Sequence, residues 1–187
     1  YGKIDNFHIV NSAETIDLYG TDIDFVSWIC KDNELEIREF VKNSSSKYCF
    51  GHFELAGYYY YSGIQATHGD DPQFLRHYDY VGSGHYHTIN GHGNVHYLGT
   101  PFTITSNDIN EEGGFYDFDT NDMMNPKFIP NNKIWHRRIS YPLDSEIERD
   151  LNVEDFRDTR LIIELNDKED KFFKDLEDNL ENVVNKL

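Results

Sequence analysis

Two strand-like runs in this chain close in the same way. Lys47-Tyr48-Cys49-Phe50 runs into Gly51-His52, and Asp79-Tyr80-Val81-Gly82 runs into Ser83-Gly84-His85-Tyr86-His87-Thr88. In layered α/β folds the carboxyl ends of strands converge on one cleft. Two runs that both end in Gly-His therefore direct imidazoles toward a common place. Residues i and i+2 of a strand share a face, and a turn at the strand end can splay His85 and His87 toward two neighbouring ions. Neutral imidazole suits Mn, Fe, Co, Ni and Zn. Three such histidines can hold one ion or contribute to a pair. Two ions about 3.5–4 Å apart clamp the attacking and leaving oxygens of a phosphoryl displacement. A pair of hard cations also needs a bridging carboxylate, which imidazole replaces poorly.

The remaining chain reads as β-rich with few helices. Phe7–Val10 is a short strand. Glu14–Tyr19 and Ile23–Ile29 form a hairpin across a turn at Gly20-Thr21-Asp22. Asp32 or Asn33 caps a helix whose apolar side is Leu35, Ile37, Phe40 and Val41, ending at Asn43–Ser46. Tyr58–Tyr61 are a run that could stack bases, though alternating tyrosines packed on a strand is the favoured reading, and Pro72 starts a short helix over Gln73–Tyr78. Strands come next at Asn94–Gly99, Gly113–Asp119 and Lys127–Ile129. Pro130-Asn131-Asn132 marks a boundary, dividing the chain at 1–130 and 131–187. Beyond it, Trp135–Tyr141 and Arg160–Leu165 are strands, and Val153–Phe156 is a short helix. A last amphipathic helix places Phe172, Phe173, Leu176, Leu180, Val183, Val184 and Leu187 on one face. The fold class expected is α/β (α+β).

The 187 residues carry 17 basic and 34 acidic side chains, a net charge of −17. That keeps the chain soluble and repels nucleic acid at long range. It does not exclude a nuclease, because bound divalent cations invert the local field. Cys30 and Cys49, the only cysteines, sit in apolar runs and read as buried, reduced, intracellular thiols. No apolar stretch is long enough to span a membrane, and no signal peptide is visible.

Gly51-His52-Phe53-Glu54-Leu55-Ala56-Gly57, then Ser83–Thr88, then Leu98-Gly99-Thr100-Pro101-Phe102 resemble the later motifs of calcineurin-like metallophosphoesterases. Within that superfamily the chain is similar to the SbcD-type DNA repair nucleases, and most nearly to their T-even-like phage branch. Ile129–Asn132 with Trp135-His136-Arg137-Arg138-Ile139 adds to the phage likeness. The resemblance implies a metallophosphoesterase sandwich followed by the start of a small α+β DNA-capping domain. It makes His52 and His85 ligands of one metal and His87 a ligand of the other, with Thr100-Pro101-Phe102 a wall beside them. It also implies two Mn²⁺ ions, exonuclease and endonuclease action on DNA in double-strand break repair and recombination, an SbcC-type coiled-coil ATPase partner, a homodimer, and a cytoplasmic setting in a bacterium or phage-infected host.

The family's early motifs, Asp-x-His, Gly-Asp-x-x-Asp and Gly-Asn-His-Asp or -Glu, do not occur in this sequence. They supply the bridging aspartate and the acid histidine, so the sequence offers no catalytic residue. With Tyr1 first, the expectation is the C-terminal part of a nuclease, inactive alone, whose half-site is empty or takes Zn or Ni in preference to Mn. Arg137 and Arg138 are candidate DNA contacts, and Glu54 a candidate to orient a ligand. His8, His68, His77, His92 and His96 read as surface or strand residues. Two alternatives stand beside the nuclease: another calcineurin-like phosphoesterase, and a non-catalytic DNA-binding or assembly module.

Overall fold

The computed structural model describes residues 8–61, 63–109, 111–131, 134–141 and 153–165. They fall into two compact units: residues 1–100 with 115–129, and residues 101–114 with 130–187.

The first unit is built on a six-stranded sheet. β1 (Ala13–Leu18) and β2 (Thr21–Val26) form an antiparallel hairpin. Its two-residue turn, Tyr19-Gly20, has both φ angles positive (57° and 87°), as the twist of a tight hairpin requires. The turn therefore starts one residue before the Gly20–Asp22 stretch read from the sequence and shares only Gly20 with it. α1 (Glu34–Asn43) then crosses over to β3 (Tyr48–Gly51), which pairs parallel to β2. A small hairpin, β4 (Tyr59–Tyr61) with β5 (Ile64–Gln65), and a 3-10 turn at Pro72–Leu75 precede β6 (Tyr80–Ser83). β7 (Asn90–His92) and β8 (Val95–Tyr97) complete a sheet ordered β1-β2-β3-β6-β8-β7. The four central strands are parallel and both edges antiparallel.

Register decides what each face buries. Asp24, Cys49, Val81 and Val95 lie in line across the parallel strands. Ile37 and Val41 of α1 belong to the same buried core as Cys49, Val81 and Val95. Phe25, Phe50, Gly82 and His96 form the neighbouring line. This opposite face is aromatic: Phe50 stacks on Phe25 (ring centroids 6.0 Å) and meets Phe118 edge-on at 5.0 Å. Gly82 is required there, since a Cβ would come within 2.5 Å of the Phe50 ring.

Asp24 is a carboxylate on the helix-facing side, fully buried. Three hydroxyls donate to it, each at 2.7 Å: Thr15 Oγ1, Ser46 Oγ and Tyr78 OH. They come from β1, the loop before β3 and the segment before β6, so one carboxylate ties four parts of the unit together. A buried carboxylate survives only when its lone pairs are occupied.

β9 (Gly113–Asp117) and β10 (Lys127–Asn131) form a two-stranded sheet. In the second unit β11 (His136–Tyr141) pairs parallel to β12 (Arg160–Leu165). Buried His136 is held by Thr103, whose Oγ1 accepts from the His136 backbone N–H at 3.0 Å. Phe102 stacks on Trp135 at 4.6 Å.

The class is mixed α/β, strand-rich, with one α-helix among the described residues. Several expectations need correction. Residues 8–10 form no strand. Leu35 is 87% exposed, so the buried side of α1 is Ile37 and Val41, with Phe40 partly buried. Asn33 precedes the helix, but its side chain caps the loop instead, accepting from the Cys30 backbone N–H at 2.8 Å. Cys30 is exposed and outside any strand; only Cys49 is buried. The helix after Pro72 is a single 3-10 turn, capped by Asp71. The amphipathic helix from Phe172 to Leu187, the Pro130–Asn132 boundary at Asn132 and the first strand at Phe7 extend outside the described residues.

Replacing Asp24 with Ala strands the buried hydroxyls of Ser46 and Tyr78 and removes the bond from exposed Thr15, at about 1 kcal/mol each. Urea unfolding should show a loss of about 3 kcal/mol with an unchanged m-value. A loss under about 1 kcal/mol would contradict this role for the carboxylate.

Candidate metal centre

The carboxyl edge of the parallel strands is set by one row of partners, Val26, Gly51, Ser83 and Tyr97. Each strand ends there, and the residues just beyond the strand ends lie along one rim. His52 comes directly after β3, and Gly84-His85 directly after β6. The two imidazoles meet edge to face with centroids 5.2 Å apart. Gly84 makes this possible: a Cβ on it would come within 2.8 Å of His52 Nδ1. His85 adopts φ 86°, a left-handed conformation uncommon outside glycine and costing of order 1–3 kcal/mol. Such strain persists where the surroundings enforce it.

Three hydroxyls hold the rim together. After His52 the chain leaves the sheet and Phe53, Leu55 and Tyr58 enter the core. The backbone it carries inward needs partners. Ser83 Oγ accepts from the Phe53 N–H at 3.1 Å. Tyr97 OH accepts from the Leu55 N–H at 3.1 Å and donates to the Phe53 carbonyl at 2.8 Å. Tyr86 OH donates to the Leu55 carbonyl at 3.0 Å.

Burial lowers the pKa of His52, and the neighbouring charges of His85 and His87 lower it further. Burial also lowers His85, against a raising effect from Glu54, with His87 and His68 adding to the depression. His87 is thus close enough to act on both. The imidazoles are held toward the neutral form, which is the ligating form.

Glu54 sits not on His52, its neighbour two residues back, but between two other histidines. Its Oε2 is 3.8 Å from His85 Nε2 and its Oε1 is 3.1 Å from His68 Nε2. His68 reads as a surface residue from sequence, and it is exposed, yet it belongs to this cluster. It arrives through a backbone return: Asp70 N–H donates to the Glu54 carbonyl (2.8 Å), and Ala56 N–H to the Asp70 carbonyl (3.0 Å). A single bridge of this kind leaves no periodic trace in the sequence. A cleft of about 350 Å³ opens beside the cluster, lined by Trp28, Cys30, Glu34, His52, Glu54 and Asp70.

The donor chemistry suits a divalent metal, but the arrangement does not close around one. Among the described residues no three His, Cys, Asp or Glu side chains are gathered to hold an ion. His52, His85 and His87 share the rim without forming a complete site, so this donor set by itself supports no chemical step through a metal.

The other histidines have structural partners. His92 stacks on Tyr58 at 4.3 Å and His96 on Tyr80 at 4.5 Å. His77 lies on Tyr78 at 4.0 Å, and His8 pairs with Glu14. In the second unit, Arg138 Nε lies 3.3 Å from Glu164 Oε1, and the Arg137 guanidinium sits over the Phe156 ring at 5.6 Å. The Arg137 Nε is buried and unpartnered.

No protein-family model matches the chain. Over 185 residues, 99% of its length, it is 41% identical to exonuclease subunit 1 of Enterobacteria phage T4. The chain is related to a phage exonuclease subunit. It spans about half the length of that curated relative (52%). The likeness covers the histidine rim and the second unit alike. By its name, the T4 protein is one subunit of an exonuclease. Among the described residues of this chain, no helix is long and apolar enough to cross a membrane.

A histidine whose folded pKa lies below its unfolded value favours the folded state most when neutral. Its contribution is present above the ordinary imidazole value of about 6.5 and is lost as pH falls through it, because the unfolded chain binds more protons. The urea midpoint should therefore drop between pH 7.5 and pH 5.5, and drop less in a His52→Gln/His85→Gln variant. Equal drops would contradict the pKa assignment.

Proposed function

We propose that this chain is part of a metal-dependent DNA nuclease of the calcineurin-like metallophosphoesterase type, acting in phage recombination and repair. The observation that carries the reading is the rim. Two parallel strands deliver His52 and Gly84-His85 to one edge, on neutral imidazoles 5.2 Å apart, in a chain 41% identical to a phage exonuclease subunit. Strand-end histidines that meet in this way suit ligation better than packing. They are partly exposed, His85 has a strained backbone, and His52 lines an open cleft.

In this reading His52, His85 and His87 are the imidazole donors for divalent cations, and Glu54 positions His85. A bound cation would polarise a phosphodiester oxygen and lower the pKa of water. His52 and His85 are held toward the neutral form, and the Ser83 and Tyr97 hydroxyls fix the backbone between them. The substrate is DNA, and a coiled-coil ATPase of the SbcC type is the partner the resemblance implies. A metallophosphoesterase sandwich, two Mn²⁺ ions, a homodimer and a cytoplasmic setting belong to the same proposal for the whole protein.

A second reading has one observation in its favour. No closed metal-binding group occurs among the described residues, as a DNA-binding or assembly module that had lost its metals would show. The two differ in what the rim does with a metal ion.

Calorimetric titration of the chain with Zn²⁺ and Mn²⁺ separates them. The nuclease reading expects Zn²⁺ to bind more tightly than Mn²⁺, following the order of affinities for nitrogen donors. It expects the Zn²⁺ signal to vanish in a His52→Ala/His85→Ala/His87→Ala variant. Identical isotherms for the chain and the variant would sink it. The chain alone, with its incomplete donor set, should release no nucleotides from linear duplex DNA in Mn²⁺, and robust cleavage would contradict that account of the rim.

A further inference from the structure

We propose that the groove on α1 beside the histidine rim, bearing Arg38, Lys42 and Arg76, seats the phosphates of a nucleic-acid strand. This rests on the nuclease reading and says where the strand runs as it leaves the rim.

The groove encloses about 760 Å³ and adjoins the cleft of about 350 Å³ at the rim, because Asp70 lines both. The rim cleft holds His52 and Glu54; the larger groove holds Arg38, Lys42 and Arg76. Arg38 and Lys42 are four residues apart on α1, so they share one face of the helix. Arg76 closes the 3-10 turn Pro72–Leu75 that packs against α1.

The two carboxylates in the groove are already committed. Asp70 Oδ1 lies 2.6 Å from Arg38 Nη2, and Asp71 accepts from the Gln73 N–H at 2.9 Å as the cap of the 3-10 turn. Arg38 is fixed a second time, with its guanidinium 4.1 Å above the Phe74 ring, and Phe74 packs edge-on against buried Phe53. Glu34 Oε1 also lies 3.8 Å from the same Nη2. A guanidinium has five donors, so these two carboxylates, both on Nη2, leave Nε and Nη1 for a phosphate oxygen. Lys42 and Arg76 are exposed and have no carboxylate partner among the described residues.

A net charge of −17 makes such a groove informative. At long range the chain repels a polyanion, so binding depends on a local cationic track. Three cations in an open groove suit a repeating backbone of single negative charges, read without regard to sequence. An acidic protein segment is the other polyanion such a surface could take. It lacks a reason to lie beside a rim of phosphoesterase type, whereas a strand with one phosphodiester at His52 and His85 must continue past one side of it.

The test uses the 187-residue chain and a fluorescein-labelled single-stranded DNA of about 20 nucleotides, long enough to span a site of this type, with anisotropy followed at several salt concentrations. Lys42→Gln/Arg76→Gln is compared with Lys47→Gln/Lys127→Gln. The control makes the same change in charge at exposed sites, one of them at the opposite end of β3. Urea midpoints confirm that both variants fold. The expected result is binding weakened about tenfold by the groove pair, with the log–log salt slope smaller by about 1.4, or two single-strand phosphates. The control pair should change neither by more than a small fraction of that. Equal losses in both variants would assign the effect to bulk charge and overturn the groove. So would displacement of the DNA by polyglutamate of matched charge at equal concentration, which would identify an acidic-protein surface. Absence of any binding by the unaltered chain would also overturn it. In each of these cases the zinc titration of the rim still judges the nuclease reading independently.

Discussion

The arrangement depends on how buried backbone is satisfied where the chain leaves the sheet after His52. A segment that turns from a strand into the core carries N–H and C=O groups away from water. Each one left unpaired costs about 1–3 kcal/mol. Here the hydroxyls of Ser83 and Tyr97 take that role. Both sit at the last position of a parallel strand, in the row that includes Gly51. The same residues that end the strands thereby fix the exit of their neighbour. His52 and His85 are consequently held together by the sheet's own register, and the strained φ of His85 is a conformation that register imposes. Asp24 does comparable work at the other end of the strands, binding β1, β2 and two loops through three hydroxyls.

Much of this was legible in the sequence where a local rule applied. The two Gly-His endings come from apolar β-rich runs closing on glycine, and both strands and both histidines lie where those runs place them. The helix carried by the Ile37–Val41 spacing explains only the crossover from β2 to β3. The parallel pairing of β3 with β6 that makes the histidines neighbours follows a connection made of the β4–β5 hairpin and the 3-10 turn at Pro72–Leu75. The errors have physical reasons. Leu35 fits the helical stripe, but α1 buries only the face that meets the sheet. Cys30 sits in an apolar run, yet that run has already left the sheet and forms the loop before α1. Asn33 has the composition of a helix cap, and its amide is spent on the Cys30 N–H instead. His68 and Glu54 could not be joined from sequence. They meet through one backbone bridge between residues 54–56 and 70, which obeys no period. The short edge strand β7 escaped for the same reason, since Asn90-Gly91-His92 has no strand propensity and is held by pairing with β8 and by contacts of Asn90 and His92 with Tyr59 and Tyr58.

Charge is organised on two scales. The chain as a whole is strongly acidic, while burial and neighbouring histidines hold His52 and His85 toward the neutral form. Next to it lies the cationic groove on α1. A neutral ligating rim beside a short cationic track, within an acidic body, is a consistent arrangement for handling a phosphodiester polymer. On the proposed function, it would let a polyanion approach at few places and keep imidazole nitrogens available there. The relation to a phage exonuclease subunit fits that arrangement.

The central claim is that His52 and His85 are electrostatic neighbours fixed by the register of β3 and β6. The most direct measurement is the titration of the His52 ring by NMR in the chain and in a His85→Gly variant. Glycine adopts the φ of 86° freely, so the turn is kept while the imidazole is removed. The account predicts that His52 titrates below the ordinary imidazole value in the chain and moves up toward it in the variant, because both shielding from water and a like charge are lost. A His52 pKa that is the same in both proteins would contradict it.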